Sequence, residues 1–186
     1  FVASNERRGF YYTTGGGMTE IPTLGAKSSF AFAVNTSDEV AGYDQDDDET
    51  GGGFRWTSGG GLTNLGDLGG NVTQAFDIND SGTIVGYATN ASGNTRAFRW
   101  TSVGGIVDLR TLGGDNSVAF GINNLGVVVG EAQTAGGEYH AFSWTLVGGM
   151  VDLGTLGGTG SIARDVNELG VIVGAAETGG GATHAF

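Results

Sequence analysis

Phe10, Phe54, Phe98, Phe142 and Phe186 stand 44 residues apart, and the spacing holds without an insertion along the chain. Asn35, Asn79, Asn123 and Asn167 keep the same register, as do Gly42, Gly86, Gly130 and Gly174. So do Trp56, Trp100 and Trp144, with Tyr12 in the place of a first Trp. A fixed period of this length marks a repeat architecture, in which each unit buries its apolar face against the next. What recurs is framework; what varies between copies is free for another task.

Within one copy, Ser117 to Asn123 alternates Val118, Phe120 and Ile122 against Ser117, Ala119 and Gly121, the two-residue period of a strand. Val127 to Ala132 is β-branched and follows Asn123-Asn124-Leu125-Gly126, where Asn bonds the turn backbone and Gly accepts positive φ. Ala141 to Trp144 forms a third, aromatic segment, and Met150 to Leu153 a fourth, reached through Val147-Gly148-Gly149. Thr155 to Gly158 then crosses over to the next copy. Apolar stripes at helical spacing are everywhere interrupted by Gly, which argues against helix.

The spacing therefore predicts an all-β chain of tandem 44-residue four-stranded repeats, β-propeller-like blades, with a β-solenoid as the alternative. Residues 1–186 are expected to form a single array of about four blades that begins and ends in mid-blade, because 177–186 repeat the register of 1–10. Strand edges left open at both ends predict self-association, end to end or ring-completing, as in a propeller of about seven or eight blades.

His140-Ala141-Phe142-Ser143-Trp144, the Asp152–Gly158 run DLGTLGG, the Ile122–Gly126 turn and His184-Ala185-Phe186 resemble the HAF repeat family, a bacterial group of extracellular repeats. The resemblance spans the whole chain. It implies a secreted or surface-exposed bacterial protein and carries over no catalytic residue. His140 and His184 stand where earlier copies have Arg8, Gly52 and Arg96, so the fold does not require imidazole.

Charge narrows the partners. With 8 basic against 20 acidic side chains, the net charge is -12, which repels phosphate backbones and anionic lipid, so nucleic acid is not an expected partner. Apolar runs are far shorter than the ~18–20 residues that cross a bilayer as a helix, so membrane insertion is not expected. The absence of Cys removes disulfides, thiolate metal sites and a cysteine nucleophile. The first residue is Phe1 rather than Met, as in a mature product, an excised domain or a fragment.

The loop between the second and third segments is where the copies disagree, and a rigid scaffold that presents variable loops is how binding surfaces are built. Arg7, Arg8, Asp44, Asp46, Asp48, Asn90, Tyr139 and His140 are the candidate ligand-binding residues of that face. Asp44, Asp46 and Asp48 alternate as the oxygen ligands of a Ca²⁺ loop do, and are the candidate structural calcium site. Glu49 stands where such a loop wants Gly, and Arg55 where it wants a closing carboxylate. The Trp series reads as core between repeats rather than sugar platforms. Asp108 and Asp152 read as ties from the fourth strand to neighbouring backbone, and Gly113-Gly114 and Gly157-Gly158 as turns. No catalytic set is nominated. An extracellular structural or ligand-binding module is expected, with polysaccharide or another surface component as ligand. The alternatives are a self-assembling fibre subunit and a secreted glycoside hydrolase or lyase, with Asp46 and Asp48 as its carboxylates.

Overall fold

The structure of the chain, a computed structural model, describes residues 6–186. Among those residues there is no helix and there are seventeen strands, arranged in five antiparallel sheets that follow one another in chain order. The first sheet pairs β1 (Phe10–Thr13) with β2 (Gly17–Glu20). The second runs β3 (Ser28–Val34), β4 (Val40–Gln45), β5 (Gly53–Thr57), β6 (Gly61–Asn64). The third is β7 (Gly69–Ile78), β8 (Ile84–Asn90), β9 (Thr95–Thr101), β10 (Gly105–Asp108). The fourth is β11 (Gly113–Ile122), β12 (Val128–Thr134), β13 (Tyr139–Thr145), β14 (Gly149–Asp152). The last holds β15 (Gly157–Val166), β16 (Ile172–Thr178) and β17 (Thr183–Ala185). Within each sheet, neighbours in sequence are neighbours in space, as tight hairpins require.

Turn chemistry fixes the first hairpin of each repeat. Asn123 accepts the Val127 N–H through Oδ1 at 2.9 Å, while Gly126 takes φ 80° and closes the turn onto the Asn123 carbonyl. Asn35, Asn79 and Asn167 do the same in their own copies.

Each sheet lies against the first strand of the next: β7 against β4 and β5, β11 against β8 and β9, β15 against β12 and β13. The first strands β3, β7, β11 and β15 also lie side by side in that order. Between the second and third sheets, Ala41 and Ala75 pack with Ile78, Ile84, Phe98 and Trp100. Between the third and fourth, Val85, Ala97, Ala119, Ile122, Val128 and Phe142 form the equivalent core. Phe54, Phe98 and Phe142 are wholly buried, each contributing about 2–3 kcal/mol of apolar burial. Trp56 and Trp100 are buried with them, as the 44-residue register predicts.

Three local features differ from the sequence reading. The face of the first strand that enters the core carries its small residues: Ser117 and Ala119 are buried, while Val118 and Phe120 are only half-buried. Small side chains let the sheets approach closely, and the larger ones turn to the opposite face. The pairing of every first strand also shifts at a matching place near its end, between Ala31 and Ala33, Ala75 and Asp77, Ala119 and Gly121, Ala163 and Asp165. The bulge restores Ile122 to the core side. In addition, Gly113-Gly114 begins β11 instead of forming a turn. A Cβ on Gly114 would stand 2.6 Å from the Thr134 carbonyl oxygen, so Gly is what lets this tail run beside β12.

A buried hydroxyl splices successive sheets. Ser117 Oγ accepts the Ala97 N–H at 2.9 Å and donates to the Arg110 carbonyl at 2.6 Å. Ser29 and Ser161, in register, do the same with Gly9 and Ile21 and with Ala141 and Gly154.

Candidate functional site

The variable loops join second to third strands and lie beside the crossovers, and their polar side chains are largely engaged locally. Asp44, buried at the end of β4, accepts the N–H of Leu24 and of Gly52 at 2.8 Å each, and that of Ala26 at 3.4 Å. Asp46 accepts the Lys27 N–H at 3.0 Å, and Asp47 pairs with the Lys27 ammonium at 2.5 Å. Asp48 accepts the Thr50 hydroxyl at 2.7 Å and its N–H at 3.2 Å, and these bonds hold the carboxyl below its ordinary range. The three candidate calcium ligands thus point at different backbone groups. Among the described residues, no three acidic or His side chains are close enough together to hold an ion.

Asn90 accepts the N–H groups of Ser92 and Asn94 at 3.0 Å each and so shapes its own turn. His140 lies 2.8 Å from Asp152 through Nδ1 and Oδ2, a contact that ties β13 to β14. Asp152 also accepts the Gly154 N–H, and Asp108 that of Arg110, both at 2.7 Å, the backbone ties that the sequence suggests. Arg8 donates to the carbonyls of Lys27 and Arg7 and pairs with Glu6 and Glu20. Arg7 is exposed, and Tyr139 is partly exposed at the start of β13. Arg7 and Arg8 line a groove of about 380 Å³ together with Phe10, Phe30 and Phe32. Of the predicted residues, these two alone are brought beside a cluster of aromatic rings.

A row of rings that shares only Phe32 with this groove is the arrangement the sequence reading did not single out. Phe32, Phe76 and Phe120 are 44 residues apart, and each is the bulged residue of its first strand. Alternation puts their rings on the face opposite the Ala before each, and they meet in a row: Phe32 to Phe76 at 5.6 Å, Phe76 to Phe120 at 6.0 Å with planes only 9° apart. The Tyr43 ring lies 5.4 Å from that of Phe32, and the Tyr87 ring 5.7 Å from that of Phe76, so a tyrosine flanks each of the first two rings. At the far end the Arg164 guanidinium sits 4.6 Å from the Phe120 centroid. Glu131 occupies the register of Tyr43 and Tyr87. Burial pushes its carboxyl up, and the Arg164 charge offsets part of that rise.

The row therefore presents half-exposed apolar ring faces, tyrosines beside two of them and, at one end, a cation with a carboxyl. Such a surface suits a long ligand that itself alternates flat apolar faces with hydroxyl groups. The signal in the sequence was the shared register of Phe32, Phe76 and Phe120, masked by their place in an apparently simple alternation. No family model and no curated protein matches the chain.

Proposed function

We propose that this chain is a binding module of β-propeller type whose aromatic row takes a polysaccharide. The sheets are blades, their first strands are innermost, and the row lies along those inner strands. The side-by-side order of β3, β7, β11 and β15 supports the blade arrangement. The observation that carries the binding reading is the continuous contact of Phe32, Phe76 and Phe120, with tyrosines beside two of the rings and Arg164 closing one end. Sugar rings have apolar faces that stack on aromatic side chains and hydroxyls that bond to flanking polar groups. The acidic surface favours neutral or weakly charged polymers over polyanions. Resemblance to the HAF repeats supports an extracellular, bacterial setting.

The test is isothermal titration against soluble neutral polysaccharides, with the substitution Phe76→Ala. Loss of one stacking platform is expected to weaken binding roughly tenfold, corresponding to about 1.4 kcal/mol. Circular dichroism should show an unchanged β spectrum for the variant. Absence of binding to every polymer tried, or binding that neither Phe76→Ala nor Phe32→Ala affects, overturns the reading.

A further inference from the structure

Two interior interfaces place the same guanidinium in different company. Between the second and third sheets, Arg55 pairs with the Glu39 carboxylate, which also accepts from Asn35 Nδ2 at 3.1 Å. That carboxylate lies over the turn of the following repeat, since a Cβ on Gly82 would stand 2.8 Å from Glu39 Oε2. The charge is neutralised inside the interface, and Trp100, which packs there, is 5 % exposed.

Between the third and fourth sheets the register supplies the cation without the acid. Arg99 repeats Arg55, but Thr83 stands in the place of Glu39. Among the described residues Arg99 makes no ion pair. Gly126 repeats Gly82, and a Cβ added to it would meet nothing within 4 Å. The space is a cavity of about 340 Å³, with Ser81, Thr83 and Arg99 of the third sheet on one side and Gly126, Trp144 and Leu146 of the fourth on the other. Trp144, in the register of Trp100, is only half-buried. Both sheets have all four strands, so interior copies of the repeat build the cavity.

The walls divide into a polar and an apolar part. Ser81 Oγ donates to Asn79 Oδ1 at 2.8 Å and lies 3.1 Å from Thr83 Oγ1, so the two hydroxyls are engaged within their own turn. Asp80, the acid of that turn, is held by Thr36 and Asn124. The Arg99 guanidinium is therefore the donor that faces the cavity with its charge uncompensated, and the indole of Trp144 with Leu146 forms the apolar wall. A guanidinium takes a carboxylate through two parallel N–H···O bonds, and an indole takes a flat apolar ring against its face.

We propose that this cavity binds a small monocarboxylic acid with a flat apolar body, its carboxylate on Arg99 in the place that Glu39 fills one repeat earlier and its ring against Trp144. The chain's own side chain names the group: in one interface a tethered carboxylate satisfies the guanidinium over the turn Gly, and in the next the tether is absent and the space is open. The volume lies at the lower end of the range for small-molecule sites, which suits one ring and its carboxylate rather than a polymer. The cavity shares no residue with the row of Phe32, Phe76 and Phe120, and the test uses no polysaccharide, so its outcome is independent of the reading of that row.

The test is titration of the full chain with benzoate, followed by tryptophan fluorescence, with benzamide as the uncharged isostere and glucuronate as a sugar acid. Benzoate is expected to saturate at roughly millimolar concentration, and benzamide to bind roughly tenfold more weakly or worse. Arg99→Gln should weaken benzoate roughly tenfold or more with an unchanged β circular dichroism spectrum. Thr83→Glu rebuilds the Glu39–Arg55 pair one repeat later, so it should abolish benzoate binding while raising the melting temperature, a combination that damage to the fold does not produce. Absence of saturable benzoate binding overturns the proposal. So does binding that Arg99→Gln and Thr83→Glu leave intact, or benzamide binding as tight as that of benzoate. Glucuronate binding tighter than benzoate assigns the cavity to a sugar acid and equally overturns it.

Discussion

Asn79 donates through Nδ2 to the carbonyl of Asn123, 3.0 Å away, although 44 residues separate them. Its Oδ1 meanwhile accepts the N–H groups of Ser81 and Thr83. One buried side chain thus closes its own turn and anchors the next repeat. Replacing it with Ala strands several backbone groups and is expected to cost about 2–4 kcal/mol in urea unfolding. Asn167→Ala, which removes only turn bonds at an exposed site, should cost under about 1 kcal/mol. Equal losses would show that the bond between repeats contributes little.

The Gly at the centre of each second strand is needed for a different reason, the space above it. A Cβ on Gly130 would stand 2.0 Å from the Val118 carbonyl oxygen and 2.8 Å from the Phe142 ring. Gly130→Ala is therefore expected to destabilise by about 3–5 kcal/mol or to prevent folding. At Gly59 an added Cβ meets nothing within 4 Å, and Gly59→Ala should lie within about 0.5 kcal/mol of the parent. Thermal melting of the two variants side by side distinguishes them.

Asp44 acts as a buried acceptor for three crossover and loop N–H groups. Asp44→Ala should cost about 3–4 kcal/mol, with Asp44→Asn intermediate because one oxygen remains. The loss is expected to be the same with and without millimolar Ca²⁺. A stabilisation of the parent by Ca²⁺ that Asp44→Ala abolishes would instead place an ion in this loop.

Glu131 and Glu39 respond to pH with opposite signs. Burial raises the Glu131 carboxyl above its ordinary 4.5, so its neutral form favours the fold below that value and the advantage is lost as pH rises through the folded-state value. Glu131→Gln should melt like the parent in acid and above it at neutral pH. The hydrogen bond from Arg55, helped by Asn35, lowers the Glu39 carboxyl, so its contribution is present above 4.5 and fades as pH falls through the folded-state value. Glu39→Gln should melt below the parent at neutral pH and converge with it in acid. Melting curves at pH 3, 5 and 7 check both signs.

The all-β class and the succession of hairpins were legible because Asn123, Gly126, Gly130 and Phe142 repeat in positions whose turn or packing role leaves little choice of residue. The face that Phe120 shows was not legible. Alternation places Val118 and Phe120 together, but which side meets the neighbouring sheet depends on how closely that sheet approaches, and here Ala119 and Ser117 permit the closer approach. Nor was the bulge, since a pairing shift is a property of two strands at once. The acidic loop stood out in the sequence because Asp44, Asp46 and Asp48 alternate within it. In space they serve separate crossover and turn groups, a division set by the position of Lys27 and Leu24 on another segment.

The pairing shift in each first strand also separates two kinds of inheritance. Because Phe32, Phe76, Phe120 and Arg164 sit where the ladder skips a residue, their side chains can be exchanged without altering register on either side. The array behaves as a rack of interchangeable sockets, with a ring in three of them and a cation in the fourth.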